Sequence, residues 1–129
     1  MANVFTTQIV EDGARNVFIK AIGVLDTSNL ATTDLVDPAA LNPVPTQLRL
    51  DEIAYSVADQ LGLQILWDAT ADVIALALAG RGNINFKYHG GLQNNAGAGK
   101  TGKLQVLTTG WTSGIQNFTL DLRLVKQGV

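Results

Sequence analysis

Near the end of the chain, Phe118, Leu120, Leu122 and Leu124 alternate with Thr119, Asp121 and Arg123. A period of two belongs to a strand with one buried and one wetted face, because successive side chains leave a pleated backbone on opposite sides. Runs of strand character recur at residues 4–10, 16–25, 63–67, 73–78, 83–88 and 103–109. Turn formers separate them: Glu11-Asp12-Gly13, the span 68–72, Gly80-Arg81-Gly82 and the span 110–114. Glycine supplies positive φ there, and aspartate bonds its own backbone.

One stretch breaks the pattern. Leu48 and Leu50 alternate with polar neighbours, as do Ile53, Tyr55 and Val57, but the two sets are out of phase. A bulge at Asp51-Glu52 would restore the phase by adding one residue to the strand. The rival is a helix from Asp51 with Ile53, Ala54, Val57, Ala58 and Leu61 on one face. Residues 51–61 read better as strand, since Ile53, Tyr55 and Val57 suit sheets and the flanking segments are strands. The expectation is an all-β single domain, an eight-stranded jelly-roll-like sandwich or barrel. An immunoglobulin-like sandwich has no Cys–Trp–Cys pattern to support it.

Two long segments carry no period. Residues 26–45 are rich in Thr, Asp, Asn and Ala and contain Pro38, Pro43 and Pro45, which predicts an excursion over the surface with a helical turn near 37–41. Residues 89–102 form a loop carrying Gly90, Gly91, Gly97, Gly99 and Gly102.

Composition excludes several classes. A chain of 129 residues forms one domain and buries roughly two-thirds of its unfolded surface. Cysteine is absent, so neither disulfides nor thiolate chemistry are available. Charged residues make up 16%, against about a quarter in ordinary domains, which fits either a polar neutral surface or one partly hidden in an assembly. The net charge is −2 and the basic residues are scattered singly, so nucleic acid is not an expected partner. No apolar run spans a bilayer, and the first residues lack the basic start and apolar block of a signal peptide; no membrane partner is expected and synthesis is expected in the cytoplasm.

The motifs with chemical overtones all have plainer readings. Gly97-Ala98-Gly99-Lys100-Thr101 looks like the end of a P-loop, but Asn94 stands where the first glycine belongs and a strand follows instead of a helix. Gly97, Gly99 and Gly102 match a dinucleotide spacing without the βαβ unit it needs. His89 is the lone histidine, and Ser28, Ser56 and Ser113 sit in no nucleophile elbow. Asp68 and Asp72 suit a hairpin turn better than a calcium loop. Asn117-Phe118-Thr119 matches a glycosylation acceptor only by chance, inside the clearest strand. No catalytic residue, cofactor or metal site is expected. Trp67 reads as core or subunit contact, and Trp111, in a Gly-bounded turn, as an exposed aromatic suited to sugar or protein.

Several runs, in order, carry a resemblance: Asp12-Gly13-Ala14-Arg15-Asn16, Gly23-Val24-Leu25, Leu48-Arg49-Leu50-Asp51-Glu52-Ile53-Ala54-Tyr55-Ser56-Val57 and Leu66-Trp67-Asp68-Ala69-Thr70. It continues through Gly80-x-Gly82, Phe86, Gly90-Gly91-Leu92-Gln93-Asn94, Thr101-Gly102, Thr108-x-Gly110 and Leu120-x-Leu122-x-Leu124-Val125-Lys126. Together these resemble small virion structural proteins of tailed bacteriophages. The resemblance implies a capsid decoration (cement) protein: a jelly-roll-like domain, trimeric, bound to the major capsid protein on the outside of an expanded head. It offers no catalytic residue to carry over. The expected partner contacts are the 26–45 excursion and the 89–102 loop, with Leu41, Pro43, His89, Leu92, Asn94 and Asn95, and Trp111 beside them. Competing readings are a carbohydrate-binding or host-attachment module, a head–tail or tail component, and a cell-wall hydrolase. The last would need a carboxylate pair or metal from Glu11, Glu52 and nine aspartates.

Overall fold

A computed structural model describes residues 3–127, which fold as two antiparallel sheets around one core. The first sheet has the order β1 (Val4–Asp12), β2 (Asn16–Leu25), β9 (Gln116–Gln127), β4 (Gln47–Val57) and β7 (Arg81–Asn85). The second has β3 (Thr33–Val36), β8 (Leu104–Thr109), β5 (Gly62–Trp67) and β6 (Val73–Leu78). Both sheets are open, so the arrangement is a sandwich and not a closed barrel. Only β1–β2 and β5–β6 are consecutive strands paired in one sheet; every other connection crosses between sheets.

Alternation decides what fills the space between them. Ile19 and Ala21 of β2, Phe118 through Leu124 at every second residue of β9, and Leu48, Leu50 and Ile53 of β4 project inward. They meet Leu63, Ile65 and Trp67 of β5 and Leu104 and Val106 of β8. Trp67 is fully buried, which settles it as core. The phase slip in β4 is a bulge: Leu50 pairs with Leu124 and Glu52 with Arg123, leaving Asp51 as the extra residue. That insertion lets Leu48, Leu50 and Ile53 share the inner face, and the strand runs on to Val57 without a helix.

Three expectations need correction. There are nine strands among the described residues, not eight; the additional one is β3, within the 26–45 stretch. Its four residues are too few to show a period, and its existence depends on pairing with β8. That stretch is accordingly no simple surface excursion, since Leu35, Val36, Pro38 and Leu41 are buried. Finally, the strand placed at 83–88 runs instead over Arg81–Asn85, and the chain turns into a 3-10 helix at Lys87–His89. Asn85 Oδ1 accepts the Lys87 N–H at 2.9 Å, and Gly90 closes the turn at φ 82°.

Candidate interaction surface

The turn at 13–15 and the loops at 37–46, 68–72 and 86–103 leave the strands at one end of the sandwich. The loops are tied to one another. Leu92 exchanges two backbone hydrogen bonds with Leu50, at 2.7 and 3.0 Å, and so forms a bridge outside β4. The Thr70 N–H donates to Ala98 O at 3.2 Å, and Thr101 Oγ1 donates to Asp68 Oδ2 at 2.7 Å. Asp72 Oδ1 accepts the Ala69 N–H at 3.0 Å, so Asp72 serves the hairpin turn while the Asp68 side chain ties it to the 86–103 loop. Buried Gly102, at φ 85°, lets the 86–103 loop lie against Thr46 O and Pro38; a Cβ there would sit 2.7 Å from that carbonyl. Lys103 Nζ stands 3.6 Å from Asp34 and 4.0 Å from Asp37, holding the 37–46 segment to the start of β8.

This packing divides the expected contact residues. Leu41 is 2% exposed and Asn94 7%, so neither offers surface to a partner. Leu41 caps the core where the chain leaves its short helix, and the Asn94 side chain turns inward, where Oδ1 accepts the Ala96 N–H at 3.0 Å and Nδ2 is buried with no partner among the described residues. Pro43, His89 and Asn95 are exposed at this end, and Leu92 is half-buried. Trp111 lies at the opposite end, in the β8–β9 turn, with loops 26–32 and 58–61. Its backbone N–H donates to Asn29 Oδ1 at 2.9 Å, its indole N–H donates to Gly114 O at 3.0 Å, and its ring packs on the core. It therefore shares no surface with His89.

Two exposed side chains were missed from sequence. Tyr88 is 82% exposed and Val44 56%, both at the loop end. The Lys87 ammonium sits 5.5 Å from the Tyr88 ring centroid. Tyr88 falls in the strand expected at 83–88, but pairing stops at Asn85, whose side chain accepts the Lys87 N–H and turns the chain.

The outer face of the first sheet carries a shallow groove of about 340 Å³ between β2, β9 and β4. Glu11, Asp51 and Glu52 line it with Phe18, Lys87 and Arg123. The latter two carboxylates are occupied: Arg49 makes a two-pronged contact with Asp51 at 2.8 and 3.2 Å, and Arg123 stands 3.5 Å from Glu52 while its guanidinium lies 5.3 Å from the Phe18 ring centroid. The Asp51 hydrogen bond raises the Arg49 pKa further above its already basic value. Among the described residues no three His, Asp or Glu side chains converge as a metal site. The face thus reads as one ion pair within β4 and one across β4 and β9 on a wetted sheet. No known protein family matches this chain, and no curated protein matches it either.

Proposed function

We propose that this protein is a structural component of a virion, a capsid decoration (cement) protein that binds the outer surface of a bacteriophage head and stabilises it. The observation that carries the reading beyond resemblance is the loop end of the sandwich. There, long loops are pinned to each other and to the core, yet leave Val44 and Tyr88 uncovered. A scaffold that holds an uncovered aromatic among mutually tied loops suits docking onto a fixed protein surface, since little ordering cost remains to be met. The strand order β2-β9-β4-β7 over β3-β8-β5-β6 supports reading the sandwich as a jelly roll with β1 added at one edge. In this reading the partner is the major capsid protein, the site of action is the capsid exterior, and the resemblance adds a homotrimeric state.

Co-sedimentation with emptied, expanded phage heads tests it. The wild-type protein should pellet with the heads, and a Tyr88→Ala, Val44→Ser double variant should bind about tenfold more weakly or worse. Both side chains are exposed, so the variant should fold normally. Failure of the wild type to pellet removes the function, whereas undiminished binding by the variant moves the docking surface elsewhere.

A further inference from the structure

We infer that β1 pairs edge to edge with β1 of a second copy of this chain, antiparallel, about a two-fold axis through Thr7. This contact is separate from the loop end proposed to meet a capsid and does not depend on that reading.

The strand is unusually bare. It pairs with β2 alone, and all of its nine residues but Phe5 are exposed. Val4, Ile9 and Val10 are 50%, 44% and 56% exposed. On β2 the residues opposite Phe5, Thr7 and Ile9 are Gly23, Ala21 and Ile19, all buried on the core side. Phe5, Thr7 and Ile9 thus share the core-side face, where Phe5 packs partly on the core while Thr7 and Ile9 are left exposed.

Natural edge strands are usually blunted by charge, proline or shortness. The edge strand β3 has only four residues and carries Asp34, and β7 opens on Arg81-Gly82. β6 is uncharged, but Ile74 is its one large side chain left exposed, and Leu78 is buried. From Val4 to Val10, by contrast, β1 has neither charge nor proline. It is also held firmly. Asn3 Oδ1 accepts the N–H groups of Asp26 and Thr27 at 2.8 and 3.0 Å, and Asp12 at the other end contacts Lys126 at 2.7 Å. A strand fixed at both ends presents its free edge ready-made.

The order of residues selects the occupant. Read in opposite directions about Thr7, the strand sets Thr7 against Thr7, Thr6 against Gln8 and Phe5 against Ile9, with Val4 approaching Val10 where the bulge after Ile9 ends the regular ladder. Apolar meets apolar and polar meets polar on both faces, as an isologous contact requires. Phe5 and Ile9 of each copy then form one stripe that extends both cores. Glu11 and Asp12 fall at opposite ends of the joint, so the two copies do not bring like charges together. A strand from a different protein could satisfy the edge but would not call for this internal symmetry.

Because the chain has no cysteine, Thr7→Cys introduces a unique thiol on an exposed position. Mild oxidation should give a disulfide-linked dimer through that thiol. Light scattering at high micromolar concentration should return an even multiple of 13.7 kDa for the wild type. Thr7→Lys and Thr7→Glu, each alone, should halve that mass, and mixing the two should restore it. A wild-type mass of one or three copies, a Thr7→Cys protein that stays monomeric on oxidation, or a Thr7→Lys protein of unchanged mass would each overturn the joint. Head binding by folded Thr7→Lys protein, checked by circular dichroism, reads the decoration function separately.

Discussion

Two strands of the same sheet, β9 and β1, meet very different fates. In β9, Phe118, Leu120, Leu122 and Leu124 are at most 1% exposed. In β1, Phe5, Thr7 and Ile9 occupy the same face of the same sheet, yet only Phe5 packs against the core, and Thr7 and Ile9 stay exposed. The difference is position. β9 is paired on both edges, with β2 and β4, and lies over the opposite sheet, whereas β1 is paired on one edge and overhangs. Alternation tells which side chains share a face; it does not tell whether anything covers that face.

The sharpest way to break this contrast is to delete the same bulk from each strand. Leu122→Ala should cost about 3–4 kcal/mol, from lost transfer energy and an uncollapsed cavity. Ile9→Ala, in dilute solution, should cost less than about 1 kcal/mol, because water already reaches that side chain. Urea midpoints of the two variants check the pair. Equal losses would mean that β1 is covered in solution by something within the same chain.

Gly23 links the two strands and tests how closely they are fitted. It lies on β2 between Phe5 of β1 and Phe118 of β9. The Phe118 ring occupies the space a side chain would take, and its centroid is 6.1 Å from that of Phe5. Alanine in place of glycine within a strand normally gains about 0.5–1 kcal/mol. Here the new methyl overlaps the ring, and the overpacking cost of about 1–3 kcal/mol should win. Gly23→Ala should therefore lower the urea midpoint, and a rise would show that Phe118 has room to move.

The same contrast explains what could be read from the sequence. The β4 bulge was legible because the slip between Leu50 and Ile53 is itself a local pattern, and the β5–β6 hairpin because Asp68 and Asp72 mark both ends of its loop. β3 was not legible, since four residues stabilised by β8 carry no signal of their own. Leu41 and Asn94 were misplaced at the surface for a related reason. Each sits among turn-forming residues, but Leu41 closes the core and Asn94 turns inward to cap Ala96, choices made by distant neighbours. Tyr88 illustrates the reverse case: it continues an alternating pattern past the point where pairing stops. The overhang of β1 depends on the number of strands in the other sheet, which no local pattern reports.

The contrast can also be tested where β1 and β9 are joined by charge. Lys126 ends the inward run of β9 with its side chain fully buried, and its Nζ is 2.7 Å from Asp12 Oδ1 at the close of β1. The Asn42 N–H donates to Asp12 Oδ2 at 3.0 Å. The Lys126 contact, then the Asn42 N–H, hold the Asp12 pKa below the ordinary 3.8. A carboxylate with a depressed folded pKa contributes stability that is fully present above its unfolded value and is lost as pH falls through the folded one. The window therefore lies below 3.8. Asp12→Asn keeps the shape and removes the titration, so the variant should be less stable than wild type at neutral pH. That gap should close as pH is lowered through the window. Because the Lys126 side chain is fully buried, Asp12→Asn leaves its ammonium without a counter-charge, and the gap at neutral pH should be plain. Thermal midpoints of both proteins, taken in steps from neutral to strongly acid pH, follow it directly. A gap that persists unchanged at acid pH would mean Asp12 is held by shape and not by charge, and the tether between β1 and β9 would have to be sought in the Lys126 N–H bond to Arg15 O, at 2.6 Å.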